Sequence, residues 1–161
     1  MKTIKQQIEA MSVRWPGFEV KFQDAHNVGW EGIVTPAKRP YLLRVGYDVP
    51  KNILENRTLH NSQPGVQVLK PVLERHADYE EGPIPHVYRN KADEKLPYLC
   101  LFSPELREWT PDDLLADTTI FWAVEWLYFY EGWLLTRKWY GGGRHVPRPD
   151  DGGKQLDRAA V

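Results

Sequence analysis

Between residues 118 and 139 the chain carries Phe121, Trp122, Trp126, Tyr128, Phe129, Tyr130, Trp133 and Trp139. Aromatic neighbours one, two and three residues apart point in different directions on a helix. A helix over 118–138 is therefore apolar on nearly every side, and it is stable only if buried all round or docked against something. The membrane is not that environment. The apolar run over 120–135 is 16 residues long and is interrupted by Glu125, Glu131 and Gly132, whereas a spanning helix needs about 20 apolar residues. The segment thus needs a sheet to roof. Its aromatic mass exceeds what one side of a small sheet hides, so Trp122, Trp126, Tyr130 and Trp133 are also expected to bind a partner.

The sheet is legible upstream. Ile4, Ile8, Met11 and Trp15 recur at helical spacing, and Pro16-Gly17 closes that helix. Phe18, Val20 and Phe22 alternate with polar residues, as a half-buried strand does. Residues 30–35, 41–47 and 66–69 supply three further strands, with glycines at 29 and 32 that suit a bulge or close packing. The stretch 48–64 reads as a long loop, and 74–82 as an exposed charged connection. Short links between successive strands favour a four-stranded antiparallel meander. Downstream, Thr110-Pro111-Asp112-Asp113 has the form of a helix start, so two C-terminal helices are expected.

With 161 residues, the chain fits one domain with a proper core, expected over 1–140 with a flexible tail over 141–161. Lys and Arg number 21 against 22 Asp and Glu, so no broad field draws the chain to nucleic acid or to an anionic membrane. A single cysteine excludes an internal disulfide and a CxxC metal knuckle, which suits a reducing compartment. Residues 1–10 are polar and mixed in charge, unlike a secretory signal, and the cytoplasm is the expected location. The five histidines show no metal-binding spacing, and Gly141-Gly142-Gly143 lacks the Lys-Ser or Lys-Thr of a phosphate loop. No metal and no cofactor is expected.

That lone cysteine, Cys100, lies between Leu99 and Leu101. The polar insertion over 89–95 reads as the tip of a loop whose arms bring His86 near it. A cysteine flanked by leucines can be a small buried hydrophobe, or an accessible thiolate with a donor or cation beside it. The residues alone leave both open.

The order Pro85-His86-Val87-Tyr88, polar loop, Leu99-Cys100-Leu101 and Trp109-Thr110-Pro111 resembles the ubiquitin-conjugating enzyme family over about residues 1–140. The first group is similar to its His-Pro-Asn-Val-Tyr motif, with Ile84 at the His position and His86 at the Asn position. The second and third are similar to its active-site cysteine and the Trp-x-Pro after it. A histidine at this place, the long loop, Trp126-Leu127-Tyr128 and the glycine-rich stretch before His145 look most like bacterial ubiquitin-conjugating-like proteins of short type II cyclic-oligonucleotide-based anti-phage signalling systems (CBASS).

The resemblance implies an α+β ubiquitin-conjugating-like fold and an enzyme, a transferase with Cys100 as nucleophile. His86 would steady the oxyanion through an imidazole N–H, and Tyr88, Asn90 and Trp109 would support the loop. The implied partner is a cGAS-like nucleotidyltransferase (CD-NTase). Its C-terminal carboxyl would form a thioester with Cys100 and pass to an amine, priming cyclic-oligonucleotide signalling. A non-catalytic binding module on the same fold and a cysteine hydrolase using Cys100 and His86 are the alternatives.

Overall fold

A computed structural model describes residues 1–50, 63–103 and 106–142. Helix α1 (Ile4–Arg14) opens on a capping box in which Thr3 Oγ1 accepts from Gln6 N at 3.2 Å and Gln6 Oε1 accepts from Thr3 N at 2.9 Å. Six strands follow, β1 (Glu19–Gln23), β2 (Asn27–Val34), β3 (Tyr41–Asp48), β4 (Gly65–Lys70), β5 (Val87–Tyr88) and β6 (Tyr98–Leu99), and then helix α2 (Thr119–Thr136). The sheet order is β1-β2-β3-β4-β6-β5 with every pairing antiparallel. The meander is present, but the sheet has six strands rather than four, because the two arms of the cysteine loop join its edge.

One face of the sheet is the core. Val28, Trp30 and Val34 of β2 lie opposite Tyr47, Val45 and Tyr41 of β3, and Val45 and Leu43 lie opposite Val66 and Val68 of β4; all are buried. On the other face Arg44 donates twice to its cross-strand partner Glu31, at 2.9 and 3.0 Å. The strand β1 is more exposed than its alternation implies, with Val20 and Phe22 both open to solvent. Aromatic rings here cover glycines instead. A Cβ on Gly29 would stand 2.1 Å from the Phe22 ring, and one on Gly32 would stand 2.4 Å from the ring of Phe18.

Helix α2 roofs this face. Ile120, Ala123, Trp126, Leu127, Tyr130 and Trp133 are buried at the three- and four-residue spacing of one helix side. Three of the four residues expected to bind a partner, Trp126, Tyr130 and Trp133, therefore belong to the core, at 4, 2 and 0 % exposure. They stack in series, Trp126 on Tyr130 and Tyr130 on Trp133. Trp122 is half-buried against Phe102. The exposed side of the helix carries Phe121, Tyr128 and Leu135.

The helix expected from Thr110 does not form, and the reason lies in α1 and the residues that flank it. Leu115 N donates to Gln7 Oε1 at 2.9 Å, and the carbonyl it would use in a helix, Pro111 O, accepts from Lys2 N at 2.7 Å. Gln7 Nε2 donates to Asp113 O and Trp15 Nε1 to Ala116 O. The capping signal at Thr110 survives as a turn, with Asp113 Oδ2 accepting from both Thr110 N and Oγ1. Long-range bonds have taken the groups a helix would need. Consequently a single helix follows the sheet among the described residues. Most of the long loop expected at 48–64, and the tail beyond residue 142 with His145, lie outside the described residues.

Candidate active site around Cys100

The strands β5 and β6 form a hairpin in which Val87 faces Leu99 and Tyr88 faces Tyr98. Continuing that register sets His86 opposite Cys100, and Cys100 N donates to His86 O at 3.0 Å. Tyr88 is the diagonal neighbour of Cys100 on the same face. The Cys100 thiol donates to Tyr88 Oη at 3.1 Å. Cys100 itself is partly exposed. In the thiolate the same contact can reverse, with the phenol O–H donating to sulfur.

Two features fix the hairpin. The loop tip is closed by Asn90, whose Nδ2 donates to Leu96 O at 3.0 Å while its Oδ1 accepts from Ala92 N at 3.0 Å, and by an ion pair between Arg89 and Glu94. Leu96 O also accepts from the buried Gln67 Nε2 of β4 at 2.7 Å. At the base, the indole Nε1 of Trp126 donates to His86 O at 3.1 Å, so the carbonyl that receives Cys100 N is held a second time from α2. Trp109 stands behind the segment that follows Cys100, buried edge-on to Tyr47 and beside Phe102.

His86 is the constrained member. Its backbone stands at φ 46°, in the left-handed region that a non-glycine residue seldom occupies. Its side chain is only 8 % exposed, with Nε2 2.7 Å from Glu81 Oε2. The imidazole stacks on Trp139, ring centroids 5.3 Å apart. Trp139 arrives there because α2 ends at Arg137 in a left-handed conformation (φ 65°), after which the chain turns back over Phe129 and Trp126.

The charged connection over 74–82 proves to be docked as well. Glu80 N donates to Arg137 O, Trp133 Nε1 donates to Glu80 O at 2.6 Å, and Trp139 N donates to the Glu80 carboxylate at 3.0 Å. Tyr79 stacks on His76 and meets the edge of Trp133. Glu81, one residue on, is thus delivered to His86 from an anchored segment.

The structure brings Cys100, His86, Tyr88 and Asn90 into one hairpin, with Trp109 behind it. Sequence reasoning missed Glu81, and Trp126, expected to bind a partner, is buried with its indole donating to the backbone of the hairpin. Among the described residues no three His, Cys, Asp or Glu side chains gather as metal ligands, and no helix is long and apolar enough to cross a membrane. Compared with known families, residues 7–146 match the model of the type II CBASS E2 protein. No curated protein matches the chain.

Proposed function

The chain belongs to the family of type II CBASS E2 proteins, and from that premise we propose that it is a ubiquitin-conjugating-like transferase working through Cys100. The observation that carries the reading is a partly exposed Cys100 whose sulfur stands 3.1 Å from the Tyr88 hydroxyl, on a hairpin edge whose backbone is fixed by His86 O.

The chemistry runs in two acyl transfers. The Cys100 thiolate adds to the activated C-terminal carboxyl of the partner, a cGAS-like nucleotidyltransferase, and the activating group leaves. The resulting thioester is then attacked by an amine, the C–S bond breaks, and an amide forms. Sulfur suits both steps because a thiolate is a good nucleophile and, toward amines, a good leaving group. Tyr88 offers its O–H to the developing negative charge, and His86 attends the same centre. The outcome in the cell is a nucleotidyltransferase primed to make cyclic-oligonucleotide signal, in the cytoplasm.

Partial exposure of Cys100 supports an enzyme over a non-catalytic module, for which a fully buried cysteine is expected. Cysteine hydrolase is the second reading, and the Glu81 carboxylate on His86 is the observation in its favour, since it orients the histidine as a third group does in hydrolytic triads. A peptide of the nucleotidyltransferase C-terminus, prepared as a small-molecule thioester, separates the readings. Transferase activity moves the acyl group to Cys100 and then to added amine. Release of free acid at a rate indifferent to amine supports the hydrolase, and no acyl transfer to wild type supports the module.

A further inference from the structure

We propose that Trp139 is a positioning residue for Cys100: packed against the His86 imidazole, it holds the His86 backbone in the conformation whose carbonyl receives the Cys100 N–H. The inference rests on the transferase reading of the same site, and it adds to that site a residue lying beyond the end of α2.

The contacts form a closed circuit. Cys100 N donates to His86 O at 3.0 Å, and Trp126 Nε1 donates to the same oxygen at 3.1 Å. The His86 ring lies against Trp139 with centroids 5.3 Å apart, and Trp139 meets Trp126 at 5.7 Å. Trp139 thus touches both the side chain of His86 and the indole that holds its carbonyl. His86 stands at φ 46°, and a non-glycine residue keeps a left-handed backbone only where its surroundings over-determine it. Its imidazole, 8 % exposed, is held at Nε2 by Glu81 Oε2 at 2.7 Å and across the ring by Trp139. Removing the indole gives the ring room to turn. The backbone can then relax toward the ordinary regions of φ and ψ, which re-aims the carbonyl away from Cys100 N.

Trp139 is itself anchored. Its N–H donates to the Glu80 carboxylate at 3.0 Å, while Glu80 N donates to Arg137 O at 3.1 Å and Glu80 O accepts from Trp133 Nε1 at 2.6 Å. The chain arrives through Arg137 at φ 65° and leaves tight against the same ring, since a Cβ on Gly141 would stand 2.7 Å from the Trp139 ring and 3.0 Å from that of Phe129. The Trp139 Nε1 is buried with no hydrogen-bond partner among the described residues. The indole therefore acts on His86 by shape and area, and phenylalanine can take its place without forfeiting a hydrogen bond.

The test uses the single cysteine of the chain. Isotopic labelling of cysteine alone gives one amide signal in the NMR spectrum, and its hydrogen exchange reports the bond from Cys100 N to His86 O. Trp139→Ala is expected to speed this exchange by about tenfold or more, while valine amides of β2 to β4, labelled in the same way, exchange as in wild type. Trp139→Phe is expected to bring Cys100 back to within about threefold of wild type. In single-turnover acylation by the peptide thioester, Trp139→Ala should lower the maximal rate by about tenfold or more and leave the half-saturating concentration unchanged, with recovery in Trp139→Phe. Should Trp139→Ala not fold, Glu80→Ala replaces it, because it alters an exposed side chain and removes the acceptor of Trp139 N; faster exchange at Cys100 is expected there too.

Wild-type exchange at Cys100 in Trp139→Ala, or in Glu80→Ala where it stands in, overturns the proposal. So does a rise shared equally by the strand amides, an acylation loss confined to the half-saturating concentration, or no recovery in Trp139→Phe. Exchange is measured without any acyl group. Failure of the transferase reading would abolish acylation and leave the expected exchange, whereas failure of the Trp139 proposal would leave acylation and exchange in the alanine variant at wild-type values.

Discussion

Trp126 Nε1 donates to the main-chain carbonyl of His86, 40 residues earlier in the chain, at 3.1 Å, and Cys100 N donates to the same oxygen at 3.0 Å. The roof helix is thereby tied to the backbone directly opposite the candidate nucleophile. Trp126→Phe keeps an aromatic ring and loses the N–H. It is expected to cost about 1 kcal/mol and to slow acylation of Cys100, whereas Trp126→Ala, which also empties a core site, is expected to cost about 3–5 kcal/mol. Thermal unfolding with parallel acylation rates checks both; equal stability of Trp126→Phe and wild type with an unchanged rate would remove the tie.

Tyr88→Phe is expected to leave the melting temperature nearly unchanged, because only a partly buried hydroxyl is lost. Alkylation of Cys100 by iodoacetamide at fixed neutral pH should fall by about tenfold, the scale of one hydrogen bond to a charged group. Mass spectrometry of timed samples gives the rate. An undiminished rate would mean that the phenol does not stabilise the thiolate.

Gln7 is fully buried and bonds both Asp113 O and Leu115 N. Replacing it by alanine leaves a carbonyl and an amide unpartnered where water is scarce, at about 1–3 kcal/mol each. Denaturant unfolding of Gln7→Ala is the check, and a loss below about 1 kcal/mol would show that the segment finds other partners.

The way this segment is held also shows where reading from sequence stops. The strands β2 to β4 are visible in the sequence because alternation records which face is buried. At Thr110 the local start signal is real, but bonds from Lys2 and Gln7, at the far end of the chain, decide the outcome. A helix wheel ringed with aromatics cannot say which ring meets the sheet, so only packing distinguishes Trp126, Tyr130 and Trp133 from Tyr128. The hairpin around Cys100 is legible as a loop with close arms, though two-residue strands give no period to read. Glu81 leaves no mark, lying in a run of charged residues that is anchored through Glu80 to Trp133 of α2 and to Arg137 and Trp139 after it.

Alkaline titration probes the same core. Burial pushes Tyr41 and Tyr47 up to about 12, the first aided by the Glu131 carboxylate and the second by Asp112, and burial likewise raises Tyr130. Folded values above the unfolded value near 10 mean that the folded chain retains protons the unfolded chain releases. Stability is thus fully present below about pH 10 and falls as pH rises from about 10 toward 12. Phenolate absorbance should show these three of the eight tyrosines ionising late, together with loss of the folded signal; all eight titrating near pH 10 with the fold intact would contradict this burial.

The central claim is that Cys100 carries an acyl group from the nucleotidyltransferase C-terminus, and intact-mass measurement under denaturing, non-reducing conditions addresses it without intermediaries. Wild-type chain co-expressed with the partner should yield a species equal to the sum of the two chains less one water, released by added thiol. Cys100→Ser should hold the same linkage as an oxyester that thiol does not cut, and Cys100→Ala should show none. Identical adducts on wild type and Cys100→Ala would contradict the account.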